Sequence, residues 1–123
     1  MSTRVLIVDD AVFMRNTLKE IFTSHGFEIA GEAANGVEAV EKHKEVGPDI
    51  TTMDIVMPFK NGIEATREIL KNDSAATVVI CSALGQESLV MEAIEAGATD
   101  FIVKPFKAEN VLQVVKKALA ARR

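Results

Sequence analysis

Five polar side chains stand directly after apolar runs, and their types suit one chemistry. Asp9 and Asp10 follow Val5–Val8, Asp54 closes "DITTMD", Ser82 closes "TVVICS", and Lys104 follows "FIV". Taken singly, each aspartate reads as a solvated loop charge. Adjacent carboxylates at the mouth of an apolar run are costly, because two of them ~4 Å apart repel by roughly 4 kcal/mol at an effective dielectric of about 20. Such a group raises a pKa or takes in a cation. Oxygen-only donors select a hard ion; Mg²⁺ takes one or two carboxylates, keeps waters and accepts phosphate oxygens. An aspartate can also attack phosphorus and become an aspartyl-phosphate. Lys104 would balance one charge and hold a phosphoryl oxygen, and Ser82 would donate to another. The set as a whole suits Mg²⁺ and a phosphoryl group held together.

The elements that would gather these residues are short. Short β-branched runs fall at Val5–Val8, around Phe27–Ala30, at Ile50–Met53, at Thr77–Cys81 and at Phe101–Val103. Several are continuously apolar, as in strands covered on both faces. Helical spacing lies between them. Met14, Leu18, Ile21 and Phe22 mark a first helix, with Gly26 beyond its end. Asn35 caps a second that carries Val37 and Val40 and closes at Gly47–Pro48. Ile63, Thr66, Ile69 and Leu70 mark a third. Leu89 or Val90, Ala93 and Ile94 mark a fourth, ended by Gly97. Val111, Val115, Ala118 and Leu119 mark the last, which leaves Arg122 and Arg123 as a frayed basic end. Strict β-α alternation implies a parallel sheet with right-handed crossovers and helices on both faces. Ligands of such sheets bind beyond the carboxyl ends of the strands, where all five polar residues fall.

Composition narrows the function classes. The chain has 123 residues, 48% of them hydrophobic. That is one domain, residues 1–123, able to bury roughly two-thirds of its unfolded surface. No apolar run approaches the ~20 residues of a membrane span, and "MSTR" runs into the first strand without a signal peptide. Fourteen basic against eighteen acidic residues leave a net charge of −4, which argues against nucleic acid. The single Cys81 fits a reduced, cytoplasmic setting and reads as a small buried hydrophobe. His25 and His43 read as surface residues, and Met14 and Met91 as packing or interface residues. No nucleotide-binding glycine pattern is present.

Four segments, "VLIVDDAVFMR", "MDIVMP..NG", "CSALGQ" and "EAGATDFIVKPF", fall in the order and spacing of the receiver domains of bacterial two-component signalling. The chain resembles that family over nearly its whole length, most closely the stand-alone chemotaxis regulators. The resemblance implies the flavodoxin-like (βα)5 fold with strand order 2-1-3-4-5. It implies that Asp54 is the phosphoacceptor. Asp10, Asp54 and the backbone carbonyl of Val56 would hold Mg²⁺, with Asp9 acting through water. Lys104 would pair with the phosphate, Ser82 and Phe101 would be the switch pair, Val56 and Leu84 would tune hydrolysis, and Lys104–Pro105 would be a cis bond. A histidine kinase would be the phosphodonor, the flagellar motor switch protein the target, and a phosphatase a further partner. The chain would act as a cytoplasmic monomer with no nucleic-acid or membrane contact. "MPFKNG" departs from the family by placing Phe59 and Lys60 where a non-aromatic residue is usual; Asn61–Gly62 still supplies turn residues that tolerate positive φ.

Other readings remain open at this stage. The chain could be a receiver of a non-chemotaxis phosphorelay, or a receiver cut from a longer regulator. An Asp-nucleophile phosphatase would need a cap domain or a second acid–base aspartate, so the expectation is a signalling phosphoacceptor rather than an enzyme.

Overall fold

The computed structural model describes residues 2–121. Five strands, β1 (Arg4–Val8), β2 (Glu28–Ala33), β3 (Ile50–Asp54), β4 (Val78–Ser82) and β5 (Asp100–Val103), alternate with five helices, α1 (Val12–Thr23), α2 (Gly36–Val46), α3 (Gly62–Asn72), α4 (Glu87–Glu95) and α5 (Ala108–Ala121). The strands form one parallel sheet in the order β2-β1-β3-β4-β5. This is the flavodoxin-like arrangement expected above. Arg122 and Arg123 lie outside the described residues.

Strand alternation divides the core into two layers. Leu6, Val8, Met53 and Ile80 pack with α2, α3 and α4, while Val5, Ile7, Ile50 and Cys81 pack with α1 and α5. Burying both faces explains why β1, β3 and β4 carry no polar alternation. Edge strand β2 is only half-buried. It runs to Ala33 rather than Ala30, because a register shift against Val5/Leu6 lets it follow β1 to its end. That keeps Ala33 beside Asp9, whose N–H donates to the Ala33 carbonyl at 3.1 Å.

Helix ends are fixed by local chemistry. Asn35 accepts from the Glu38 N–H, and Gly47 closes α2 in the left-handed region. Asn61 and Glu64 form a capping box on α3. Asn61 is therefore extended backbone; the positive φ of this turn belongs to Phe59, at 69°. That corrects the expectation for Asn61–Gly62. A second correction concerns His43. It is buried, on the face of α2 that carries Ala39 and Val40, while Val37 is exposed. Burial holds its pKa below the usual range, against the raising effect of Asp73. A depressed imidazole pKa contributes stability above the unfolded value near neutrality and loses it as pH falls through the folded value. His43→Leu is expected to flatten the acid limb of a urea-midpoint profile below about pH 6.5; an unchanged slope would contradict this.

Thr51 and Thr52 on central β3 are fully buried, and their hydroxyls have no hydrogen-bond partner among the described residues. A buried unpaired hydroxyl is unfavourable, and an apolar isostere removes the penalty. Thr51→Val and Thr52→Val are each expected to raise unfolding free energy by about 1 kcal/mol. A denaturant midpoint that falls on either substitution would show that the hydroxyl is satisfied in solution.

Candidate functional site

The carboxyl ends of β1, β3, β4 and β5 meet at one edge of the sheet. Asp9 and Asp10 follow β1, Asp54 ends β3, Ser82 ends β4 and Lys104 follows β5. Asp9 and Asp54 are buried, and Asp10 is exposed. One carboxylate oxygen from each of the three lies within 4.8 Å of the others. Lys104 Nζ bridges two of them, donating to Asp9 Oδ2 at 3.0 Å and to Asp54 Oδ1 at 3.2 Å. Its backbone N–H donates to the Ser82 carbonyl at 2.7 Å, and the Lys104–Pro105 peptide is cis.

The electrostatics follow from three acids against one base. Burial, then the charge of Asp9, pushes the Asp54 carboxyl up to about 6, although Lys104 and the Ile55 N–H favour its ionised form. Burial works against the Lys104 charge, yet its hydrogen bond to Asp9 and the two carboxylate charges outweigh this and hold its pKa above the usual lysine value. One ammonium does not neutralise the cluster. A divalent cation would, and the donor set of carboxylate oxygens is the one Mg²⁺ prefers. Val56, two residues after Asp54, and Leu84, two residues after Ser82, are both exposed.

Neighbouring elements hold the acids in place. Ala11 N–H donates to Asp9 Oδ1 at 2.9 Å, and Arg15 donates to the Asp9 carbonyl at 2.6 Å while pairing with Glu32. Gln86 accepts from Ala83 N–H at 2.7 Å and so ties the loop after Ser82. Neither Arg15 nor the Gln86 contact is marked by residue spacing in the sequence. Only "Q" in "CSALGQ" hinted at the latter. Cys81, paired with Asp54 across the β3–β4 ladder, is buried with its thiol pushed up to about 12, so it is an inert packing residue. Ser82, Leu84, Val90, Met91, Phe101 and Val103 line a cavity of about 220 Å³ next to the cluster. Phe101 stands at its edge, 42% exposed.

A profile of the response regulator receiver domain matches residues 5–116. The chain belongs to the response regulator receiver family. The chemotaxis protein CheY of Thermotoga maritima is 60% identical over 95% of this chain and 98% of its own length. The CheY of Bacillus subtilis is 55% identical, covering 97% and 99%. Among solved structures, the CheX–CheY–BeF3–Mg complex of Borrelia burgdorferi matches with a TM-score of 0.90 at 47% identity, over 94% of this chain and 87% of that one. This receiver is accordingly a phosphorylation-activated chemotaxis response regulator, a signalling protein by family. Among the described residues no helix is long and apolar enough to cross a membrane.

Proposed function

We propose that Asp54 is the phosphoacceptor and that its phosphorylation switches the surface around Phe101. The observation that carries this reading is the convergence of Asp9, Asp10, Asp54 and Lys104 at one strand edge, with Ser82 opening onto the adjacent cavity. Asp10, Asp54 and the Val56 carbonyl would hold Mg²⁺, with Asp9 acting through water; the ion would offset the charge of the incoming phosphoryl group.

The donor is a histidine kinase, CheA-like in type. A carboxylate oxygen of Asp54 attacks the phosphorus of a phosphohistidine in line, the P–N bond breaks, and the imidazole leaves with the bonding pair. Lys104, already between Asp9 and Asp54, moves its hydrogen bond to a phosphoryl oxygen. Ser82 donates to a second oxygen. Its movement frees space in the cavity, and Phe101 turns inward from its half-exposed position. The chain thus holds two states, biased by a local charge. The later loss of phosphate to water is shielded by the apolar Val56 and Leu84 at the rim. The target is the flagellar motor switch protein. A phosphatase is a third partner, a reading supported by the relative that forms a complex with CheX together with BeF3 and Mg²⁺. The protein works as a cytoplasmic monomer and turns over no outside substrate.

The test is a beryllofluoride and Mg²⁺ titration followed by the Phe101 ring NMR signals. The expected result is a shift of those signals to a more restricted environment on saturation. Identical signals with and without the phosphoryl mimic would contradict the switch.

A further inference from the structure

We infer that Gly36 is a positioning residue for the β3–α3 loop, which carries the Val56 carbonyl; the inference rests on the metal-site reading above. Gly36 is buried at the start of α2, and its N–H donates to the Lys60 carbonyl at 2.9 Å. A Cβ on Gly36 would collide with that oxygen and lie 2.7 Å from the Lys60 carbonyl carbon. The obstacle is backbone, so a side chain here would have to displace the loop itself.

The loop has little freedom to absorb such a push. On its far side Gly62 N–H donates to the Ile55 carbonyl at 2.7 Å. Pro58 has a fixed φ, and Met57 is buried. Lys60 N–H donates to the Pro58 carbonyl at 2.8 Å across Phe59, whose φ is 69°. That i→i+2 bond with positive φ is a classic γ-turn, a rare and strained conformation for a bulky residue. Phe59 is 88% exposed, so no burial of its own ring compensates the strain. What fixes the turn is the grip on Lys60: the Gly36 N–H on its carbonyl, and Glu68 on its ammonium at 2.9 and 3.0 Å. Moving Lys60 therefore moves the short segment that starts at Val56. The absence of a side chain at Gly36 is what allows the close approach.

The test compares Mg²⁺ affinity, by titration calorimetry of the metal alone, for the parent chain, Gly36→Ala and Gly47→Ala. Gly47 closes the same helix at φ 53° with nothing within 4 Å of its would-be Cβ, so its substitution strains the backbone without touching the loop. The inference expects Gly36→Ala to weaken Mg²⁺ binding about tenfold, in the range seen for groups that orient metal ligands. Gly47→Ala should lose stability with its Mg²⁺ affinity unchanged. Equal affinity in Gly36→Ala and parent overturns the inference while leaving the metal site standing. A parent that binds no Mg²⁺ overturns the reading of the site and the inference with it. Should Gly36→Ala not fold, the parent decides: its Gly36 amide NMR signal is expected to shift on Mg²⁺ saturation, and a stationary signal overturns the proposal.

Discussion

Asp54→Ala is expected to accept no phosphoryl group and yet to unfold at higher urea than the parent in metal-free buffer. The gain follows from the raised carboxyl. An aspartate whose folded pKa is about 6 and whose ordinary value is 3.8 is held in its charged form at a cost. A shift of one unit corresponds to about 1.4 kcal/mol, so the cost near neutral pH is on the order of 2–3 kcal/mol. The sign is that of a raised pKa: the folded state binds the proton more tightly, so stability is kept below the unfolded value and falls as pH rises through the folded one. The stabilisation by Asp54→Ala should therefore appear between 3.8 and about 6 as pH rises, reach its plateau above that window, and vanish below it. Saturating Mg²⁺ should reduce it, because an ion that binds the native parent stabilises it by mass action. Destabilisation by Asp54→Ala in metal-free buffer at neutral pH would mean that Lys104 overcompensates the carboxylates.

Lys104→Ala is expected to have the opposite effect on stability and a separate effect on signalling. The ammonium is shared by Asp9 and Asp54, whose side chains are 2% and 11% exposed. Removing one partner from a buried group leaves uncompensated charge, a loss of about 3–5 kcal/mol when burial is complete. The Lys104 side chain is 20% exposed, so a smaller loss is expected, about 2 kcal/mol at neutral pH. Adding Asp54→Ala to Lys104→Ala should recover most of it, a coupling that a double-mutant cycle in urea reads directly. Additive effects would show that the two side chains do not share a charge balance. In signalling, Lys104→Ala should still take up phosphate while its Phe101 ring signals no longer respond. A normal ring response in the phosphorylated variant would remove Lys104 from the switch.

The reach of the sequence can be judged from particular residues. Ser82 is legible because β4 is covered on both faces and continuously apolar, so its first polar residue marks its carboxyl end; Asp54, behind the Thr51–Thr52 pair, and Lys104, after the half-exposed edge strand β5, stand out by their charge instead. Strand order followed only from the family likeness, since alternation alone does not say which strand lies beside β1. The polarity of His43 suggests solvent, whereas the side chain is buried. Its spacing from Ala39 and Val40, on the buried face of α2, held the contrary signal. The γ-turn at Phe59 was illegible in principle, because phenylalanine carries no preference for positive φ. Its cause is the grip on Lys60 from α2 and α3. The Arg15 contact to the Asp9 carbonyl also depends on how α1 returns across β1, which spacing does not encode.

Intact-mass measurement after incubation with acetyl phosphate tests the central claim most directly. With Mg²⁺ the parent chain should gain the mass of one phosphoryl group. The adduct should be absent with EDTA and absent in Asp54→Ala. An adduct of the same yield in Asp54→Ala, or one indifferent to metal, would contradict the account of an aspartyl phosphate formed at this acidic edge.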